Sequence, residues 1–143
     1  MSVRQTSVPA LASLGLAAFL LGACAGGPTA GGPCLDDSQA CVASRVAMVD
    51  AMVADPSRAW VGQPVSRETY QSGVRLFAWR STMDRMSCDE LGSGIREMAL
   101  AKQSLSQGPL PGVSAERNNQ VKALTDDTRT EIERTAKSKR CRV

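Results

Sequence analysis

The chain has 143 residues, 43% of them hydrophobic and 22% charged, with a formal net charge of +3 and no histidine. A charge so mild gives no electrostatic footprint for nucleic acid, and the missing histidine removes the commonest general base and the commonest metal ligand together. With two tryptophans, one tyrosine and two phenylalanines, a core must rest on Val, Leu, Met and Ala, so covalent cross-links are expected to support it.

Residues 1–7 are polar with one charge, Arg4, and residues 8–21 form an almost unbroken apolar run. A run of about 14 residues is too short to span a bilayer, which takes roughly 20. A basic start, a short apolar middle and small residues after it are the pattern of a removable secretory signal.

The run ends in Leu21-Gly22-Ala23-Cys24. This resembles the lipobox of bacterial lipoproteins, small Gram-negative envelope lipoproteins among them. The resemblance implies removal of residues 1–23 and a diacylglyceryl group on the Cys24 sulfur. It also implies a further acyl chain, typically palmitate, on the new amine. Two or three such chains anchor stably where one does not. Ala25 rather than an acid follows Cys24, which in this family implies the outer membrane, facing the periplasm. Ala23-Cys24-Ala25 also fits ordinary signal cleavage, which would release a soluble secreted helical protein. Loss of 23 residues leaves 143 − 23 = 120, enough for one domain, and loss of Arg4 gives a charge of +3 − 1 = +2.

Residues 25–33 read Ala-Gly-Gly-Pro-Thr-Ala-Gly-Gly-Pro. Such a stretch has no periodicity and reads as a flexible tether, reaching about 15–18 Å. With lipidated Cys24 it forms a 24–33 linker, and the folded domain is expected over 34–143.

That domain reads as all-α, a small bundle of about four helices. The first opens at Asp36, Asp37 or Ser38 and runs to about Ala54, where Asp55-Pro56 ends it. Val42, Val46, Val49 and Val53 make its apolar stripe. After an irregular stretch holding Trp60, a second helix is expected from a Ser66 cap to about Met83, with Tyr70, Val74 and Phe77 on one face. Ser87-Cys88-Asp89-Glu90 spells a capping box for a third helix, whose Leu91, Ile95 and Met98 share a face. Residues 108–112 (Gly-Pro-Leu-Pro-Gly) are a break, and Ser114 caps a last, largely polar helix from Ala115 to about Arg140. Its apolar stripe of Val121, Leu124, Ile132 and Ala136 is thin. No stretch alternates with period two for long enough to compete as a strand.

Setting Cys24 aside leaves Cys34, Cys41, Cys88 and Cys141, an even set that implies two disulfides in an exported chain. Four helices alternating up and down would bring all four cysteines to one end, the end nearer the tether. Spacing leaves the pairing open. Cys34–Cys41 with Cys88–Cys141 is one solution, and Cys34–Cys141 with Cys41–Cys88 clips the first helix to both later ones. A zinc site is a poor rival, because six residues separate Cys34 from Cys41 where zinc knuckles use two to four.

No metal or other cofactor is expected, and no catalytic constellation is legible. The acidic pairs Asp36-Asp37 and Asp89-Glu90 stand at helix starts, where capping accounts for them; Asp126-Asp127 is a third. The basic residues Lys137, Lys139, Arg140 and Arg142 suit a helix C-terminus, or anionic headgroups if that end faces a membrane. Phe77 and Trp79 lie about 200° apart on a helix, so both cannot enter one narrow stripe. Trp79 or Trp60 could then join Arg75 and Arg80 in an exposed partner patch. The plainer alternative buries both rings beneath the long connection. The expected function is a non-catalytic envelope lipoprotein, held to the membrane by its lipid and acting as a binding or accessory module for an envelope protein. A structural or stress-related lipoprotein without a dedicated partner is the alternative.

Overall fold

The computed structural model describes residues 33–142; the signal, Cys24 and all of the tether but Pro33 lie outside the described residues. The fold is an all-α bundle: α1 (Gln39–Ala54), α2 (Arg67–Ser72), α3 (Val74–Thr82), α4 (Cys88–Leu105) and α5 (Ala115–Ser138), with a 3-10 turn at Met83–Arg85. No strand occurs among the described residues.

The helix starts follow local chemistry. The Ser38, Ser66 and Ser114 hydroxyls accept from the N–H groups of Cys41, Thr69 and Arg117. At Ser87 the capping box is complete, the Glu90 carboxylate accepting the Ser87 N–H in return.

The expected second helix is two helices. Gly73 adopts φ 78°, ψ −5°, a left-handed conformation that closes α2 through its N–H to Tyr70 and opens α3 by accepting from Phe77. The joint resets the helical phase. Tyr70 and Val74 are buried as the stripe predicts, but Leu76 and Trp79 turn inward and Phe77 is 51% exposed.

The core gathers Trp60, Tyr70, Leu76, Trp79, Met83, Met86, Leu91, Met98, Leu105, Val121 and Ile132. α5 contributes more than its thin apolar stripe, because Asn118, Thr125 and Thr128 are buried in the same row as Val121, Ile132 and Ala136. Thr125 and Thr128 donate to the carbonyls of Val121 and Leu124, which satisfies their hydroxyls inside the helix. At the α4–α5 turn, Gln71 Nε2 donates to the Gly108 carbonyl and to Asn118 Oδ1, while its Oε1 accepts from Leu110 N–H.

The direction of α1 departs from simple alternation. Asp37 pairs with Arg117 in the first turn of α5, placing the start of α1 beside the start of α5. Trp60 Nε1 donates to the Met52 carbonyl, and Arg58 meets Glu90 at the start of α4, so α1 ends near the opposite pole. α1 therefore runs parallel to α3 and α5, and residues 55–66 form a crossover that returns along the bundle. The four cysteines consequently do not gather at one end. Cys34–Cys41 closes onto the first turn of α1, Cys88–Cys141 joins the start of α4 to the end of α5, and the length of α5, ~36 Å, separates them. Cys34 can reach Cys41 because α1 starts only at Gln39, which leaves residues 34–38 free of helical geometry.

Candidate functional site

The patch proposed from sequence is core. Trp60, Arg75 and Trp79 are buried. The crossover folds Trp60 over α3, where it meets Trp79 edge-on with ring centroids 5.1 Å apart. The Arg75 guanidinium lies 4.6 Å above the Trp60 ring, donates to the Trp60 carbonyl at 2.6 Å, and forms a two-pronged ion pair with Glu97. Arg80 stays partly exposed and bridges to Glu131 at 2.8 Å. These four residues are thus an internal clamp with one peripheral bridge, and they present no joint surface. Nothing in their spacing predicted Arg75 as a core residue, since its partner Glu97 stands on another helix.

The acidic pairs do not converge. Hydrogen bonds from Ser38 hold the Asp36 carboxyl below the usual range, and Arg58 with the capping contacts does the same for Glu90. Asp126 bridges to Lys102. Among the described residues no cluster of three metal-ligating side chains occurs, and no helix is long and apolar enough to cross a membrane. In the basic tail, Lys139 Nζ donates to the carbonyls of Asp84 and Met86. That anchors the tail at the pole remote from Cys34, so the basic residues do not meet the Cys34–Cys41 disulfide.

The exposed apolar surface lies elsewhere. α1 carries only two charged residues, Arg45 and Asp50, and packs chiefly on α3. Its valine stripe is half covered: Val42 and Val46 are 42% and 53% exposed. The outward face is Ala40, Ala43, Ala47, Ala51 and Ala54, all exposed. Between α1 and α3 runs a groove of about 370 Å³ walled by Val42, Val46, Val49, Val74 and Phe77. A second, more polar cavity of about 440 Å³ adjoins it towards α5, and Ser72, Phe77 and Arg117 line both.

Phe77 is the partition between the two hollows. Arg117 stands at their junction, pairs with Asp37, and keeps its Nε buried with no acceptor among the described residues. Arg45, the other guanidinium on the groove, is committed to the carbonyls of Cys34 and Asp36 and to the Asp37 carboxylate. The signal missed in the sequence is the lack of charge along residues 39–54 combined with Phe77 set out of phase by Gly73. No family model, curated protein or solved structure matches this chain.

Proposed function

We propose that the chain is a lipid-anchored envelope lipoprotein whose helical domain is a non-catalytic binding module, with the Phe77 face as its binding surface. The observation that carries the anchor is Cys24, directly after Leu21-Gly22-Ala23 and the apolar run. The other four cysteines close into two pairs, which leaves Cys24 as the one cysteine outside the disulfide set. Two disulfides fit an oxidising compartment such as the periplasm. The absence of an acid after Cys24 favours the outer membrane.

Support for the binding role is the Phe77 face itself, an apolar hollow rimmed by charge on a domain this small. The chain enters the domain at the Arg117 pole, so a tether reaching about 15–18 Å sets that pole and its grooves nearest the membrane. The basic tail then faces away from it.

Intact mass of the membrane-extracted protein tests the anchor. The expected species begins at Cys24, carries added acyl mass, and gains about four protons on reduction of its two disulfides. A chain beginning at Gly26 without lipid overturns the anchor. In-cell cross-linking tests the module: a single stoichiometric partner on the Phe77 face supports it, whereas no partner of any kind favours the purely structural alternative.

A further inference from the structure

The two disulfides stand in opposite surroundings. Cys41 is buried, its sulfur accepts from Arg45 Nη1, and the loop it closes with Cys34 carries Asp36 and Asp37. Cys88, by contrast, is exposed at the first position of α4. Beside it opens a hollow of about 450 Å³ lined by Asp89, Ser93, Ile95, Arg96 and Arg142, so two guanidinium groups there outweigh one carboxylate. Its partner Cys141 stands between Arg140 and Arg142.

Thiol–disulfide exchange needs a sulfur that an incoming thiolate can reach and a second sulfur that leaves readily as thiolate. Cys88 meets the first need through its exposure and the adjoining hollow. Cys141 meets the second, because neighbouring arginines stabilise a thiolate. Arg140, just past the end of α5, is also held at φ 59°, a left-handed conformation unfavourable to a residue with a Cβ, and opening the bond lets it relax.

From this contrast we infer that Cys88–Cys141 is an exchange site for small anionic thiols, while Cys34–Cys41 is a closed structural link. The incoming thiolate bonds to Cys88 Sγ as the Cys88–Cys141 bond breaks, and the electron pair leaves on Cys141 Sγ. A second thiolate attacks the thiol's own sulfur in the mixed disulfide. The two small thiols depart joined as their disulfide, and Cys88 and Cys141 take protons from water. Reduction unpins the end of α5 from the start of α4. The inference does not depend on the Phe77 face.

The test uses the full-length, membrane-extracted chain at low salt, treated with glutathione (an anionic thiol) or cysteamine (a cationic one) at equal thiolate concentration. Samples are quenched by alkylation and each cysteine is followed by mass spectrometry. Glutathione is expected to open Cys88–Cys141 at least about tenfold faster than Cys34–Cys41, and its first adduct should sit on Cys88. Arg142→Ser should slow glutathione about threefold without slowing cysteamine, added salt should mimic that change, and Arg142→Lys should restore most of the rate.

Equal rates at the two disulfides, or faster opening of Cys34–Cys41, overturn the inference. A first adduct on Cys141 overturns the assignment of Cys88 as the attacked sulfur. No preference for glutathione over cysteamine, or indifference to Arg142→Ser, overturns the selectivity for anionic thiols.

Discussion

A Cβ placed on Gly94 would lie 2.9 Å from Cζ3 of Trp79 and 3.1 Å from Cδ1 of Ile132, so α4 meets α3 and α5 at a distance that only glycine permits. Trp79 is fully buried and cannot yield. Gly94→Ala gains about 1 kcal/mol in helix propensity but meets an overpacking cost of about 1–3 kcal/mol. The expected net effect is a destabilisation of about 0–2 kcal/mol, seen as a lower urea midpoint at unchanged slope.

The Arg75–Glu97 pair is buried on both sides, and Arg75 also holds the Trp60 carbonyl and ring. Removing one partner strands the other charge in the core, so Glu97→Gln or Arg75→Met is expected to cost about 3–5 kcal/mol. The double replacement by apolar residues should cost much less than the sum. A double-mutant cycle in denaturant checks this, and additive losses would show that the pair does not act as a unit.

The two disulfides close loops of very different length, with sequence separations of 7 and 53. Loop-closure entropy gives the short one about 2.5 kcal/mol and the long one about 4 kcal/mol. Paired Cys→Ser replacement at Cys88 and Cys141 should therefore lower the melting temperature more than the same change at Cys34 and Cys41. Equal losses would mean that native contacts, and not chain entropy, set their value.

Burial pushes the Tyr70 phenol up to about 12, with Glu97 acting in the same direction and Arg75 opposing. In the unfolded chain the phenol titrates near 10. Its neutral form is the one the fold favours, so its contribution to stability is whole below about pH 10 and is lost as pH rises towards 12. Tyr70 is the one tyrosine of the chain, which makes tyrosinate absorbance a direct readout. Tyr70→Phe should remove the alkaline step in stability; a free phenol near 10 in the folded protein would contradict the burial.

The helix boundaries were legible because they depend on neighbours in sequence. Ser66, the Ser87–Glu90 box, Ser114, Asp55-Pro56 and the 108–112 break each act within four residues, and α1, α4 and α5 begin or end where those signals stand. The split at Gly73 is not legible in the sequence, since a glycine inside a helical pattern is compatible with continuation and its positive φ becomes evident only once α2 and α3 pack separately. The polar core was equally hidden. Arg75, Glu97, Gln71 and Asn118 look like surface residues until partners on other helices satisfy them.

By itself the sequence determined an all-α domain, its caps and breaks, and an even set of four cysteines beside Cys24, because capping, helical periodicity and cysteine parity are local or compositional properties. Only the tertiary structure decided that α1 runs parallel to α5, that Cys34–Cys41 and Cys88–Cys141 lie at opposite poles, and that Trp60 enters the core while Phe77 leaves it. Those outcomes depend on the path of the 55–66 crossover. That path is held by contacts between residues far apart in the chain: Arg58 with Glu90, Trp60 with Trp79, and Arg75 with the Trp60 carbonyl and ring.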